Sequence, residues 1–112
     1  MQKEKESAEE INELWNLYGE NRSMEIRNRL VEHYLPLVNI IAGRLAMSLP
    51  SHVDRDDLII SGYFGLMDAV DRYDIKRGNK FETYAGIRIS GAMKDELRSR
   101  DWISVSLRQK IR

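Results

Sequence analysis

The residues best able to do chemistry lie between Lys76 and Arg98. Thr83, Tyr84, Ile87, Gly91 and Lys94 fall on one side of a helical pattern, with Ser90 between them and Lys76, Arg77 and Lys80 just upstream. An aromatic and an aliphatic side chain beside a lysine can serve as a platform for unstacked bases. Equally, Tyr84 and Ile87 could pack on the N-terminal part of the chain, and spacing alone leaves both readings open. Bond-making chemistry finds little to build on. His33 and His52 stand in different elements, and there is no cysteine or spaced His/Asp set to hold a metal. Asp56 and Asp57 are adjacent, so on a helix they do not face each other. Gly62-Tyr63-Phe64-Gly65 falls inside a helical pattern and is no phosphate loop, and no Walker or nucleophile-elbow pattern occurs. No catalytic residue, metal ligand or cofactor is expected.

A second surface comes from the stretch Arg55 to Ala85, which holds two helical patterns joined by the basic loop Asp74-Ile75-Lys76-Arg77-Gly78-Asn79. In the first pattern Leu58, Gly62, Gly65, Leu66, Ala69 and Tyr73 form a core face. At about 100° per residue, Ile60, Tyr63, Phe64 and Met67 form another apolar side, next to Asp57, Asp68 and Asp71. A helix apolar on two sides is either deeply buried or half-covered by a partner. A chain of 112 residues has little interior, which favours the partner.

Zero net charge conceals an asymmetry. Residues 1–71 carry 7 Lys/Arg against 13 Asp/Glu, and residues 72–112 carry 11 against 5. A basic C-terminal half suits a phosphate backbone and an acidic half avoids it, although both halves could equally be solvated helix faces. No apolar run approaches the ~20 residues of a membrane span, and the N-terminal MQKEKESAEE lacks a signal-peptide core, so a cytoplasmic location without membrane contact is expected.

The elements that must position these residues read as an all-α bundle of about five helices in one domain. Ser7-Ala8-Glu9-Glu10 is a capping box opening a helix with Ile11, Leu14, Trp15 and Tyr18 inward. Ser23 caps a second helix with Ile26, Leu30 and Tyr34 inward, which Pro36 should break or kink. A third runs through Val38, Ile41, Ala42 and Leu45. Asp54 caps the next, and Asn79-Lys80-Phe81-Glu82 opens one with Phe81, Ala85, Ile89, Ala92, Met93 and Leu97 inward, ending near Leu97 or Arg98. A short final helix could start at Ser104 or Ser106. The basic end LRQKIR stops in mid-element, as an excised domain would.

DDLIISGYFGLMDAVDRYD followed by GNKFETYAGIRISGAMKDELRSRDW resembles region 2 of bacterial sigma factors, of the FliA/WhiG type that directs flagellar or sporulation genes. The pattern FxTYAxxRIxGAMxDELRxxDW is long and specific, and the likeness reaches from about Leu14 to Arg112. It implies a single region 2 domain over 1–112, with N-terminal helices at about 7–34, polymerase-binding helices at 35–75 and a promoter-binding and melting segment at 76–112. The domain for the minus-thirty-five element would lie outside these residues. The resemblance implies docking on the β′ coiled coil of core RNA polymerase through Asp57, Ile60, Ser61, Tyr63, Phe64 and Met67. It also implies capture of the non-template strand of the minus-ten promoter element through Lys76, Arg77, Lys80, Thr83, Tyr84, Ile87, Arg88, Gly91 and Lys94, with Arg98, Arg100, Trp102 and Arg108 following the DNA upstream. An anti-sigma factor commonly covers these surfaces in the family.

Three departures bear on DNA binding. Primary sigma factors carry a tryptophan pair where this chain has Ile87 and Arg88, so its melting wedge should be weaker. The usual RIRGAM is here RISGAM, losing a basic group at Ser90. The usual WIPRSVRQK is here WISVSLRQK, losing a proline and, at Val105, an arginine. These losses motivate a rival reading, a sigma-like interaction module that binds polymerase or an anti-sigma factor without reading DNA.

Overall fold

The computed structural model describes residues 7–99, which form four α-helices and one 3-10 turn, with no strand among the described residues. Helix α1 spans Ala8–Glu20 and opens on the full capping box: the Ser7 hydroxyl accepts from the Glu10 N–H, and the Glu10 carboxylate accepts from the Ser7 N–H. Those bonds hold the Glu10 carboxyl below its usual pKa. Helix α2 spans Met24–Ala46, capped by the Ser23 hydroxyl. Helix α3 spans Arg55–Arg72, capped by the Asp54 carboxylate. The 3-10 turn Ile75–Arg77 closes on Gly78 at φ 80°, a left-handed conformation that glycine adopts without a Cβ clash. Helix α4 then runs Phe81–Ser99.

The expected five helices are four here because α2 continues through Pro36. An interior proline costs about 3 kcal/mol through its lost donor and ring clash. Two features offset that. Pro36 is exposed, so its missing donor lies on the solvent side. The buried stripe Leu30, Val31, Tyr34, Val38 and Ala42 also keeps helical spacing across it and needs one continuous helix to reach α3 and α4. The all-α class stands; the break at Pro36 does not. The short final helix suggested from Ser104 or Ser106 lies outside the described residues.

The core is one cluster shared by all four helices. Its centre is Gly62, where α2, α3 and α4 converge. A Cβ there would stand 2.4 Å from Cε of Met93 and 2.9 Å from Cγ1 of Val38. An aromatic group closes the α1 end. The Trp15 ring lies 4.9 Å from Phe81 and 5.0 Å from Tyr73, and its indole N–H donates to the Tyr34 hydroxyl at 3.2 Å. Burial pushes the Tyr34 hydroxyl above its usual pKa, so it stays protonated. The Tyr73 hydroxyl donates to the Asn79 carbonyl, which ties the end of α3 to the loop before α4.

A polar clasp holds the same end from outside. Arg27 of α2 makes a two-pronged contact with Asp71 of α3, Nε to Oδ1 at 2.7 Å and Nη2 to Oδ2 at 3.0 Å. The Tyr18 hydroxyl donates to Asp71 Oδ1 at 2.8 Å, and Arg22 donates to the Asp71 carbonyl at 2.8 Å. The Arg27 guanidinium, with help from Tyr18, holds the Asp71 carboxyl below its ordinary pKa. A depressed carboxylate pKa stabilises the fold above the unfolded value near 4, and that contribution is lost as pH falls through the folded value. Asp71 is 41 % exposed, so solvent screening limits the effect. Asp71→Asn is expected to cost about 1 kcal/mol in urea unfolding at pH 7, and the deficit should vanish as the pH is lowered below 4. An unchanged deficit in acid would show that shape, and not charge, matters there.

Candidate nucleic-acid and protein interfaces

Helix α3 presents one side away from the core. Ile60 is 57 % exposed, Phe64 62 % and Tyr63 38 %, and the rings of Tyr63 and Phe64 stand 6.2 Å apart edge to face. Ser61 and Asp57 are half-buried at its margin. Met67 is half-buried and packs on the core, so it belongs more to the fold than to the open ridge. Two of the acidic neighbours expected on this side are ion-paired: Asp71 with Arg27 of α2, and Asp68 with Arg72 and with Arg88 of α4. Ile60, Tyr63 and Phe64 thus stand together as an open apolar group, which a purely solvated helix face would not carry.

Helix α4 buries Phe81, Ala85, Ile89, Met93 and Leu97 and leaves Ala92 half-buried. Its other side holds most of the residues expected to meet nucleic acid. Thr83 and Lys94 are exposed, Ile87 is 72 % exposed, and Gly91 is half-buried. Tyr84 divides the two readings left open by spacing. It is half-buried, packs on the core and lies 5.8 Å from the Tyr73 ring, so much of its face is used internally. Ile87 packs on nothing that would bury it. Lys76 and Arg77 on the 3-10 turn and Lys80 before α4 are all exposed. Arg98 is exposed and bonds Asp95 one turn earlier. Arg100, Trp102 and Arg108 lie outside the described residues.

Two grooves flank α4, and Ile87 and Gly91 border both. The larger, about 810 Å³, has Glu82, Thr83, Gly86, Ile87, Ser90, Gly91 and Lys94 on one wall, and Leu37, Ile41, Arg44 and Leu45 of α2 with Ser48 just beyond it on the other. Leu37, Ile41, Leu45 and Ile87 give it an apolar lining, and its charged residues are Arg44, Lys94 and Glu82, so cations outnumber the one carboxylate; this suits flat apolar groups attached to anions. The α2 wall escaped the sequence reading. The repeat 37, 41, 44, 45, 48 was visible as a helical stripe, but it reads as ordinary core until the neighbouring helix is known. The smaller groove, about 420 Å³, lies between α3 and α4 and is lined by Phe64, Gly65, Asp68, Ile87, Arg88, Gly91, Ala92 and Asp95. It makes the apolar ridge of α3 and the exposed side of α4 neighbours.

His33 is half-buried with its ring 4.7 Å from Tyr34. Among the described residues no three His, Cys, Asp or Glu side chains are grouped to hold a metal ion, and no helix is long and apolar enough to cross a membrane.

Residues 30–103 match the family model of sigma-70 region 2. The chain belongs to the sigma-70 region 2 family. It is 51 % identical over 86 residues to the RNA polymerase sigma factor FliA of Salmonella typhimurium, a stretch covering 77 % of this chain and 36 % of that protein. It is 39 % identical over 99 residues to the RNA polymerase sigma-D factor of Bacillus subtilis, covering 88 % of this chain and 39 % of that one. One solved structure, a cocrystal of the flagellar sigma/anti-sigma complex sigma-28/FlgM, matches with a TM-score of 0.62 at 44 % identity, over 75 % of this chain and 36 % of that chain. This region 2 chain thus spans little more than a third of the relatives it matches. The matched segment begins at Leu30, so it takes in the open ridge of α3 and both grooves beside α4, while α1 lies before it.

Proposed function

We propose that this chain is the region 2 domain of a flagellar-type sigma factor, working in the cytoplasm. The α3 ridge of Ile60, Tyr63 and Phe64, with Asp57, Ser61 and Met67 at its edges, docks on the β′ coiled coil of core RNA polymerase. Helix α4 and the loop before it then take the non-template strand of the minus-ten element. The observation that carries the reading is adjacency: the uncovered apolar ridge adjoins the small α3/α4 groove, whose far edge, Ile87 and Gly91, also borders the larger groove that carries Arg44 and Lys94. One protein partner and one nucleic-acid strand can therefore be held side by side. The likeness to FliA and to sigma-28, which the solved complex pairs with FlgM, supports the flagellar assignment and an anti-sigma protein as a further partner.

The mechanism is binding, with the polymerase supplying the chemistry. Unstacking a base costs a few kcal/mol. A base laid over Ile87 and the exposed part of Tyr84 recovers about 1–3 kcal/mol by stacking and apolar contact. Lys76, Arg77, Lys80 and Lys94 add phosphate contacts that weaken as salt rises. Ile87→Ala is expected to reduce promoter opening, read as permanganate reactivity of the minus-ten thymines. Lys94→Ala is expected to lower strand affinity and reduce its salt slope by about one. Normal opening with Ile87→Ala and Lys94→Ala combined would remove α4 from the DNA.

A further inference from the structure

Asp68 sits on α3 one turn after Phe64, and its two oxygens serve different helices. Oδ1 accepts from Arg72 Nε at 2.7 Å within α3, and Oδ2 accepts from Arg88 Nε at 2.9 Å across to α4. Nε is the donor nearest the stem of the arginine side chain. A bond there fixes the plane of the guanidinium and leaves its terminal N–H groups as further donors. The Arg88 guanidinium carbon also lies 5.4 Å from the centre of the Tyr84 ring, which restricts the plane from a second direction. The backbone beneath is fixed as well. A Cβ on Gly65 would stand 2.9 Å from the carbonyl oxygen of Arg88 and 3.0 Å from Cα of Ile89, so the two helices touch next to the ion pair.

Arg88 and Asp68 are 32 % and 43 % exposed, and an ion pair that wet contributes little to folding. Its consequence is geometrical. We propose that Asp68 is a positioning residue: it holds Arg88 at the rim of the α3/α4 groove so that the terminal nitrogens meet a phosphate of the captured strand. The inference rests on the nucleic-acid reading of α4 given above. It also makes Asp68 a physical link between the protein-facing ridge and the strand-facing helix, because it follows Phe64 by one turn and bonds across to α4. An arginine oriented in this way presents a planar fork, which suits a phosphate better than a freely rotating cation does.

The test is capture of a labelled single-stranded minus-ten oligonucleotide by the protein bound to core RNA polymerase, measured across a salt series. Arg88→Ala and Asp68→Ala are each expected to weaken capture by about three- to tenfold and to lower the slope of log affinity against log salt by about one. The double variant should be no weaker than Arg88→Ala alone, since both remove one contact. Asp68→Asn, whose amide oxygen can still accept from Nε, should recover most of the affinity and the slope. A general loss of structure would produce neither the recovery nor the matched slopes. Should Asp68→Ala fail to fold, Arg88→Lys answers the same question, because it keeps the charge without the Nε bond and should lose affinity while largely keeping the salt slope. Unchanged or tighter capture by Asp68→Ala, additive losses, or an unaffected Arg88→Ala would overturn the assignment while strand capture itself stands. No capture by the unaltered protein would overturn the strand-binding reading, and this inference with it.

Discussion

Replacing Ile60 and Phe64 together by alanine is expected to weaken binding to core RNA polymerase by tenfold or more while leaving the fold intact. The two side chains are 57 % and 62 % exposed and stand one helical turn apart on α3. Fully burying a side chain of this size is worth about 1.5–3 kcal/mol, and central apolar anchors in interfaces commonly cost 2 kcal/mol or more when truncated. Tenfold, or about 1.4 kcal/mol, is therefore a low bound for the pair. Because neither residue is buried in the domain, thermal unfolding should move by no more than about 0.5 kcal/mol in equivalent stability. Tyr63→Ala should weaken binding in the same direction. Met67→Ala should differ in kind. Met67 is half-buried against the core, so part of any loss there would come from the fold. Polymerase binding that survives the Ile60/Phe64 pair unchanged would move the docking surface off this ridge.

Trp15→Ala is expected to cost about 3–5 kcal/mol of stability, comparable with the whole stability of a marginal domain. The indole is 6 % exposed and packs on Tyr73, Phe81 and Tyr34 from three different parts of the chain. Its removal leaves a cavity among aromatic rings and takes the hydrogen-bond donor from the buried Tyr34 hydroxyl. Leu17 lies on the same helix but is 42 % exposed, so Leu17→Ala should change stability far less. Chemical unfolding of both variants checks the contrast. A loss below 1 kcal/mol for Trp15→Ala would mean that α1 contributes little to the folded unit.

The inward faces were legible because burial writes a local period. Ile11, Leu14, Trp15 and Tyr18 on α1, and Phe81, Ala85, Ile89, Met93 and Leu97 on α4, repeat at helical spacing and are buried. The caps Ser7, Ser23 and Asp54 were legible for the same reason, since each acts within three residues. Pro36 misled because a local rule was outweighed by the buried stripe on either side of it. The partners of Asp68 and Asp71 were not legible, because a helical wheel gives direction and not partners. Asp71 is 53 residues from Tyr18 and 44 from Arg27, a pairing that exists only once α1, α2 and α3 are assembled. The second wall of the large groove was hidden by the same cause: Leu37, Ile41 and Leu45 carry a core-like period, and only the position of α4 makes them the side of an open groove. Tyr84 was half legible. Its side of the helix was foreseen, but not the share of its ring spent on Tyr73.

The most direct measurement is binding of this chain to core RNA polymerase, with and without a labelled non-template minus-ten strand, across a salt series. The sigma reading predicts that the chain binds polymerase, and that the bound chain captures the strand with an affinity falling steeply as salt rises. Polymerase binding with no strand capture at any salt would contradict it and leave an interaction module that does not read DNA.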